Sequence, residues 1–161
     1  MNLEQFFTGK TVLVTGAAGF IGSHLTDALV ALGAQVRALD NLSDGDLSNL
    51  DGVIGNIEFV EGSITDPQIL DRVAKGCDVV FHMGANASVP RSSENPAYDF
   101  QANMIGTFEV LEAVRRHAVG RLIFASSAAV YGEPQTESGQ MGENHPFVPK
   151  SPYGGTKLAG E

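Results

Sequence analysis

The stretch SPYGGTKLAGE (151–161) holds two residues four apart, Tyr153 and Lys157. On a helix such positions share a face, so the phenol and the ammonium can point the same way. A phenol ordinarily titrates near pH ~10. A neighbouring cation favours the phenolate and makes it a usable base near neutrality. A second candidate lies in FASSAAVYG (124–132), where Ser126 or Ser127 could donate a hydrogen bond to a reacting oxygen. The competing role is a serine pair that satisfies a strand end. A third is GAAGFIG, with Gly16, Gly19 and Gly22. Glycine at these positions suits a tight turn, close approach of a pyrophosphate, and close packing of a helix on a strand. The helix start that follows offers free N–H groups to phosphates. Asp40 stands about 20 residues further on, where a carboxylate accepts hydrogen bonds from an adenosine ribose. It would repel a 2'-phosphate, and Asn41 and Leu42 follow with no Arg beside them. That favours NAD over NADP.

These residues need elements to hold them. TVLVT (11–15) reads as a buried strand running into the glycines. Ile21, Leu25, Ala28, Leu29 and Leu32 recur at helical spacing, and Gly33 stops that helix. QVRAL (35–39), IEFV (57–60), DVVFH (78–82) and RLIFA (121–125) read as further strands. Asp66 predicts an N-cap, with Pro67 in the first turn of a helix to Lys75. A long helix is expected from Pro96 to His117, its apolar stripe marked by Phe100, Met104, Phe108, Leu111 and Val114. Strands alternating with helices predict an α/β fold, a parallel sheet with helices on both faces. Residues 132–152 form a long polar loop, a length more often functional than idle. A last helix begins at 152.

Composition narrows the function. With 161 residues, 43% hydrophobic and 18% charged, the chain can build one domain with a real core. A net charge of -9 argues against nucleic acid as a partner and against an anionic membrane surface. No apolar run approaches the ~20 residues of a membrane span. The start MNLEQFFTGK lacks the basic and apolar regions of a signal peptide. A cytoplasmic protein is expected. The single cysteine, Cys77, reads as a buried thiol, and His82 as a packing residue; His24, His117 and His145 show no metal spacing.

Six motifs in order, TGAAGFIGSHL, LDNLS, VFHMGA, NMIGTFEVLEA, SSAAVYGE and SPYGGTKLAGE, resemble the extended short-chain dehydrogenase/reductase family, within it the NAD-dependent nucleotide-sugar epimerases and dehydratases. The resemblance runs from about Lys10 to the end of the chain. It implies a Rossmann-type doubly wound sheet with NAD as cofactor. Tyr153 would be general base and acid. Lys157 would bind the nicotinamide ribose and lower the tyrosine pKa. Ser127 would complete the triad, and Asn103 would organise the cofactor and nearby backbone. The cofactor would lie against Gly16, Gly19, Phe20, Ile21, Gly22, Asp40, Asn41, Ser63, Ile64, Met83, Gly84 and Ala85, and against Asn103, Tyr153 and Lys157. Ser63 stands where many relatives have an Asp contacting adenine. Ala87 stands where some relatives carry a lysine near the cofactor.

The implied reaction is 4-epimerisation of a nucleotide sugar, a UDP-sugar. The related dehydratases and decarboxylases usually carry an acid just before the VYG-like segment. Here Ala128 and Ala129 stand there, which favours an epimerase. The resemblance also implies a second half, with the last strands and a substrate domain. The expectation is thus that residues 1–161 are the NAD-binding part of a longer, homodimeric enzyme, with the fifth strand left as an edge. The alternative is a short chain that binds NAD without turnover.

Overall fold

A computed structural model describes residues 2–134 and 139–161; part of the 132–152 loop thus lies outside the described residues. The chain forms two compact units, Met1–Gly84 with Gly106–Ala125, and Ala85–Ile105 with Ser126–Glu161.

The first unit holds five strands, β1 (Thr11–Thr15), β2 (Gln35–Asp40), β3 (Ile57–Glu61), β4 (Val79–His82) and β5 (Arg121–Phe124). They pair in the order β3-β2-β1-β4-β5, all parallel. Successive side chains of a strand point to opposite faces. Leu13 therefore joins Leu39, Val60 and Val80 on one face, packed by Leu70 and Val73 of α3 (Pro67–Ala74) and Val110 of α6 (Gly106–Arg116). Val12 and Val14 join Val36, Ala38 and Val79 on the other, covered by Leu29 of α2 (Phe20–Ala31) and Phe7 of α1 (Leu3–Phe7). Burying each such aliphatic side chain stabilises the fold by about 1.5–3 kcal/mol. β5 stands at one end of this strand order, and none of its residues is fully buried.

Asp66 caps α3 as the sequence predicts, accepting from the Gln68 and Ile69 amides at 2.9 and 3.2 Å. Cys77 is buried, and desolvation pushes its thiol above the ordinary range. Helical spacing misjudged α2 in part: Leu29 is buried, but Ile21 is 67% exposed. On α6, Phe108 and Leu111 are exposed, and the covered face is Gly106, Thr107, Val110 and Ala113. The apolar stripe expected on this helix therefore does not face the core, apart from Val114.

The second unit contains α4 (Val89–Glu94), α5 (Pro96–Asp99), a π-helical stretch (Phe100–Ile105), a short 3-10 turn (Ala128–Val130) and α7 (Pro152–Gly160). The helix expected over 96–117 is thus not uniform: it opens into a π-helical turn, a form often found at functional sites. The exposed Phe100 and Met104 lie in that turn. Neither α1 nor α4 is legible in the sequence as an element, being short.

Candidate active site

In the first unit, β1 lies between β2 and β4, where the direction of strand crossover reverses. Open parallel sheets bind ligands there, beyond the carboxyl ends of the strands. Gly16 follows β1 with φ +66, and a Cβ on it would lie 2.7 Å from the Gly84 amide nitrogen beyond β4. Only glycine lets these two loops meet. A Cβ on Gly22 would lie 2.0 Å from the Gly16 carbonyl oxygen. Gly19 is the N-cap of α2 and gives no side-chain cap, so the first-turn amides keep their donors for an anion. Phe20 and Ile21 open α2 and are solvent-exposed.

Asp40 ends β2, nearly buried, and binds the glycine turn directly. Its Oδ2 accepts from the Ala18 amide at 2.9 Å, and its Oδ1 from the Leu42 amide at 2.8 Å. Each oxygen retains acceptor capacity for a ribose hydroxyl. Asn41 closes a small turn on the Ser43 amide. Ser63 shares a hydrogen bond with Thr65, and Ile64 packs beside Gly84 and Gly106. The Met83 amide continues the ladder onto the Thr15 carbonyl, and the Gly84 amide donates to Thr15 Oγ1 at 3.0 Å. His82 lies between Thr15 and Thr107 hydroxyls, at 2.8 and 3.0 Å, in agreement with a packing role. A bare glycine turn, an uncapped helix start and an acceptor carboxylate fit a dinucleotide. Among the described residues no group of three His, Cys, Asp or Glu could hold a metal ion.

In the second unit, α7 starts at Ser151, whose side chain caps the Gly154 amide at 3.1 Å, with Pro152 in its first turn. Tyr153 and Lys157 are both buried on it, 9% and 4% exposed. The Tyr153 amide donates to Ser92 Oγ of α4. Ser127 Oγ accepts from the Ala129 amide at 3.2 Å, which leaves its proton to donate. Ser126 instead donates to the Glu161 carboxylate. The turn that Ser127 caps packs hard on α7: a Cβ on Gly154 would lie 2.5 Å from the Ala129 carbonyl oxygen. Asn103 Nδ2 reaches Thr156 Oγ1 at 3.3 Å and the Asn86 carbonyl at 3.1 Å, while its Oδ1 accepts from the Asn86 amide at 2.7 Å. Ala85 opens this unit, half-buried. Tyr153, Lys157, Asn103 and the Ser127 turn are thus gathered on one short helix and its neighbours. Ser92, Asn86, Asp99 and Thr156 also belong to this assembly, and none of them stands out in the sequence by type or spacing.

Burial drives the Lys157 ammonium down from 10.5 to about 8, and the Asp99 carboxylate opposes that drop. Below pH 8 Lys157 is protonated in both the folded and the unfolded chain, so the cost of burying its charge is fully present. As pH rises from about 8 to 10.5 the folded protein releases the proton first, and stability rises. Lys157→Met is therefore expected to stabilise the fold at pH 7 by about 2 kcal/mol, a gain that fades above pH ~10. Urea denaturation across that pH range checks it; a loss of stability at pH 7 would contradict it.

A sheet of this order, with a glycine turn at its switch point, defines a dinucleotide-binding α/β protein. The chain belongs to the NAD dependent epimerase/dehydratase family, whose model matches residues 12–161. It is 41% identical to a UDP-glucose 4-epimerase of Halalkalibacterium halodurans over 150 residues, 92% of this chain and 43% of that protein. It is 37% identical to a dTDP-glucose 4,6-dehydratase of Streptomyces niveus, over 93% of this chain and 47% of that one. The crystal structure of Thermus thermophilus UDP-glucose 4-epimerase in complex with NAD matches with TM-score 0.85 and 40% identity, covering 93% of this chain and 48% of that one. The chain spans about half the length of the curated relatives it matches.

Proposed function

We propose that residues 1–161 form the NAD-binding part of a cytoplasmic nucleotide-sugar 4-epimerase acting on UDP-sugars, with the substrate domain contributed by further chain. The observation that carries this is α7, where Tyr153 and Lys157 are buried on one short helix, against which the Ser127 turn and Asn103 pack. A chain that only bound NAD would have no chemical use for that assembly.

NAD, when bound, supplies the acceptor and later the donor of the hydride at C4. Asp40 and the α2 amides would hold its adenosine ribose and phosphates. Ser127 donates to the sugar 4-oxygen. Tyr153 would take the proton of the sugar 4-hydroxyl and later return it to the 4-oxygen. Lys157 supports the charge on Tyr153 and holds the nicotinamide ribose. The net change is inversion at C4 with no redox product, most of it achieved by positioning.

Loss of water from the sugar would need an added acid near Ala128 and Ala129, and neither carries one. That is why a 4-epimerase is preferred to a 4,6-dehydratase. NAD-loaded full-length protein, residues 1–161 together with the further chain, incubated with UDP-glucose or UDP-galactose and read by NMR of the anomeric protons, tests the proposal. Interconversion of the two supports it. A 4-keto-6-deoxy product makes the protein a dehydratase, and bound NAD with no conversion makes it a binder.

Exposed Phe108 and Leu111 on α6 supply apolar surface suited to a homodimer. Phe108→Glu is expected to turn the dimer into monomer in sedimentation velocity. A wild-type protein that stays monomeric at high concentration would exclude the dimer.

A further inference from the structure

We propose that Asp99 is a positioning residue for the Tyr153–Lys157 helix: its buried carboxylate ties α7 to the π-helical turn and to the segment around Asn86, and sets the charge environment of Lys157. This rests on the reading of Tyr153 and Lys157 as the acid–base pair.

Asp99 ends α5 with no exposed surface. Three donors converge on it. Asn86 Nδ2 reaches Oδ1 at 2.7 Å, and Asn103 Nδ2 reaches the same oxygen at 3.0 Å. Thr156 Oγ1 reaches Oδ2 at 2.7 Å. Thr156 has one hydroxyl proton and a second acceptor, the Tyr153 carbonyl at 3.1 Å. The shorter bond to a charged acceptor is the stronger, so the proton goes to Asp99. The two Asn103 Nδ2 protons go to Asp99 and the Asn86 carbonyl, and its Oδ1 accepts from the Asn86 amide, so Asn103 brackets Asn86 from both sides.

Four side chains from three separate stretches are therefore held together through one carboxylate, and one of them, Thr156, immediately precedes Lys157. A carboxylate with no exposed surface is costly to bury, and an uncharged amide of similar size would offer Asn86 and Asn103 an acceptor without that charge. A functional reason for it is its charge. Besides Asp99, the elements packed on α7 carry the ionisable groups Arg91 and Glu94 on α4 and Tyr98 on α5. The Asp99 carboxylate opposes the desolvation of Lys157 and favours its protonated form. Tyr153 shares the helix with Lys157.

Two variants separate the tie from the charge. Asp99→Asn is nearly isosteric: it keeps an acceptor for Asn86 and Asn103, and Thr156 can turn its proton to the Tyr153 carbonyl. Thr156→Val keeps the charge and removes the tie to α7. The 13Cε signal of Lys157 is identified by its loss in Lys157→Met, and its titration can then be followed by itself. Asp99→Asn is expected to lower the Lys157 titration by about one pH unit or more, the usual effect of removing an opposite charge at close range. Thr156→Val is expected to leave that titration within about half a unit and to speed amide exchange of α7 about tenfold or more.

A residue that merely filled space would change stability and leave Lys157 where it was. A natively folded Asp99→Asn protein with an unmoved Lys157 overturns the proposal. If Asp99→Asn does not fold, unchanged α7 exchange in Thr156→Val overturns it instead. Neither readout needs turnover. An inactive protein with the expected Lys157 shift would therefore sink the epimerase reading and leave the role of Asp99 intact.

Discussion

Tyr153→Phe is expected to lower UDP-sugar turnover by about 10²–10⁴-fold, the range for loss of a positioned acid–base group. Its affinity for NAD should stay within about twofold. The substitution removes one oxygen and keeps the ring, so the buried packing of Tyr153 survives. The Tyr153 amide still donates to Ser92, and Thr156 still reaches Asp99, so α7 keeps its place. The groups proposed to hold the phosphates and the adenosine ribose, the α2 amides and Asp40, belong to the other unit. Turnover measured by NMR, with NAD affinity by titration calorimetry, checks both halves. Collapse of NAD affinity along with turnover would show that Tyr153 supports the fold or the cofactor and is not the acid–base group.

Gly22→Ala should be the most damaging single change in the glycine turn. Its methyl would sit 2.0 Å from the Gly16 carbonyl oxygen and 2.9 Å from Ala17 Cα, both backbone atoms that cannot rotate away. Either α2 lifts off the turn or the turn distorts. The expected loss is about 3 kcal/mol, at the upper end of overpacking costs, with NAD affinity falling as well. Gly19→Ala is the informative contrast. Its φ is -77, and a Cβ would meet only the Gly16 carbonyl at 3.3 Å, so the fold should lose less than about 1 kcal/mol. If the pyrophosphate passes over Gly19, that methyl should still cost about tenfold or more in NAD affinity. Urea melts and calorimetry on the two variants separate packing from ligand contact. Equal stability losses in both would mean that the second glycine serves the fold alone.

Local signals in the amino-acid sequence account for much of this fold. Alternating apolar runs and helical periods specify five strands and the main helices between them, because burial on both sheet faces leaves an imprint on residue type. The spacing of Gly16, Gly19 and Gly22 behind a strand, and Asp66 before Pro67, are likewise local, and each lies where the spacing implies. Tyr153 and Lys157 four apart on a helix need only helix geometry.

Other features depend on residues far apart in the chain. By residue type and spacing Ser126 and Ser127 are equivalent, and only the family resemblance favours Ser127; tertiary structure gives a physical difference, since Ser126 donates to Glu161 and Ser127 keeps a proton while capping its turn. The exposed face of α6 cannot be told from its buried one by hydrophobicity, because Phe108 and Leu111 are apolar and exposed while Gly106 and Thr107 are among the covered residues. Asp99 is the clearest case. In the sequence it is one more acid on a helix expected to be regular. Its partners Asn86, Asn103 and Thr156 lie 13, 4 and 57 residues away. A hydrogen-bonded carboxylate is defined by the donors that reach it. Those donors come from different parts of the chain and meet only once the backbone is folded.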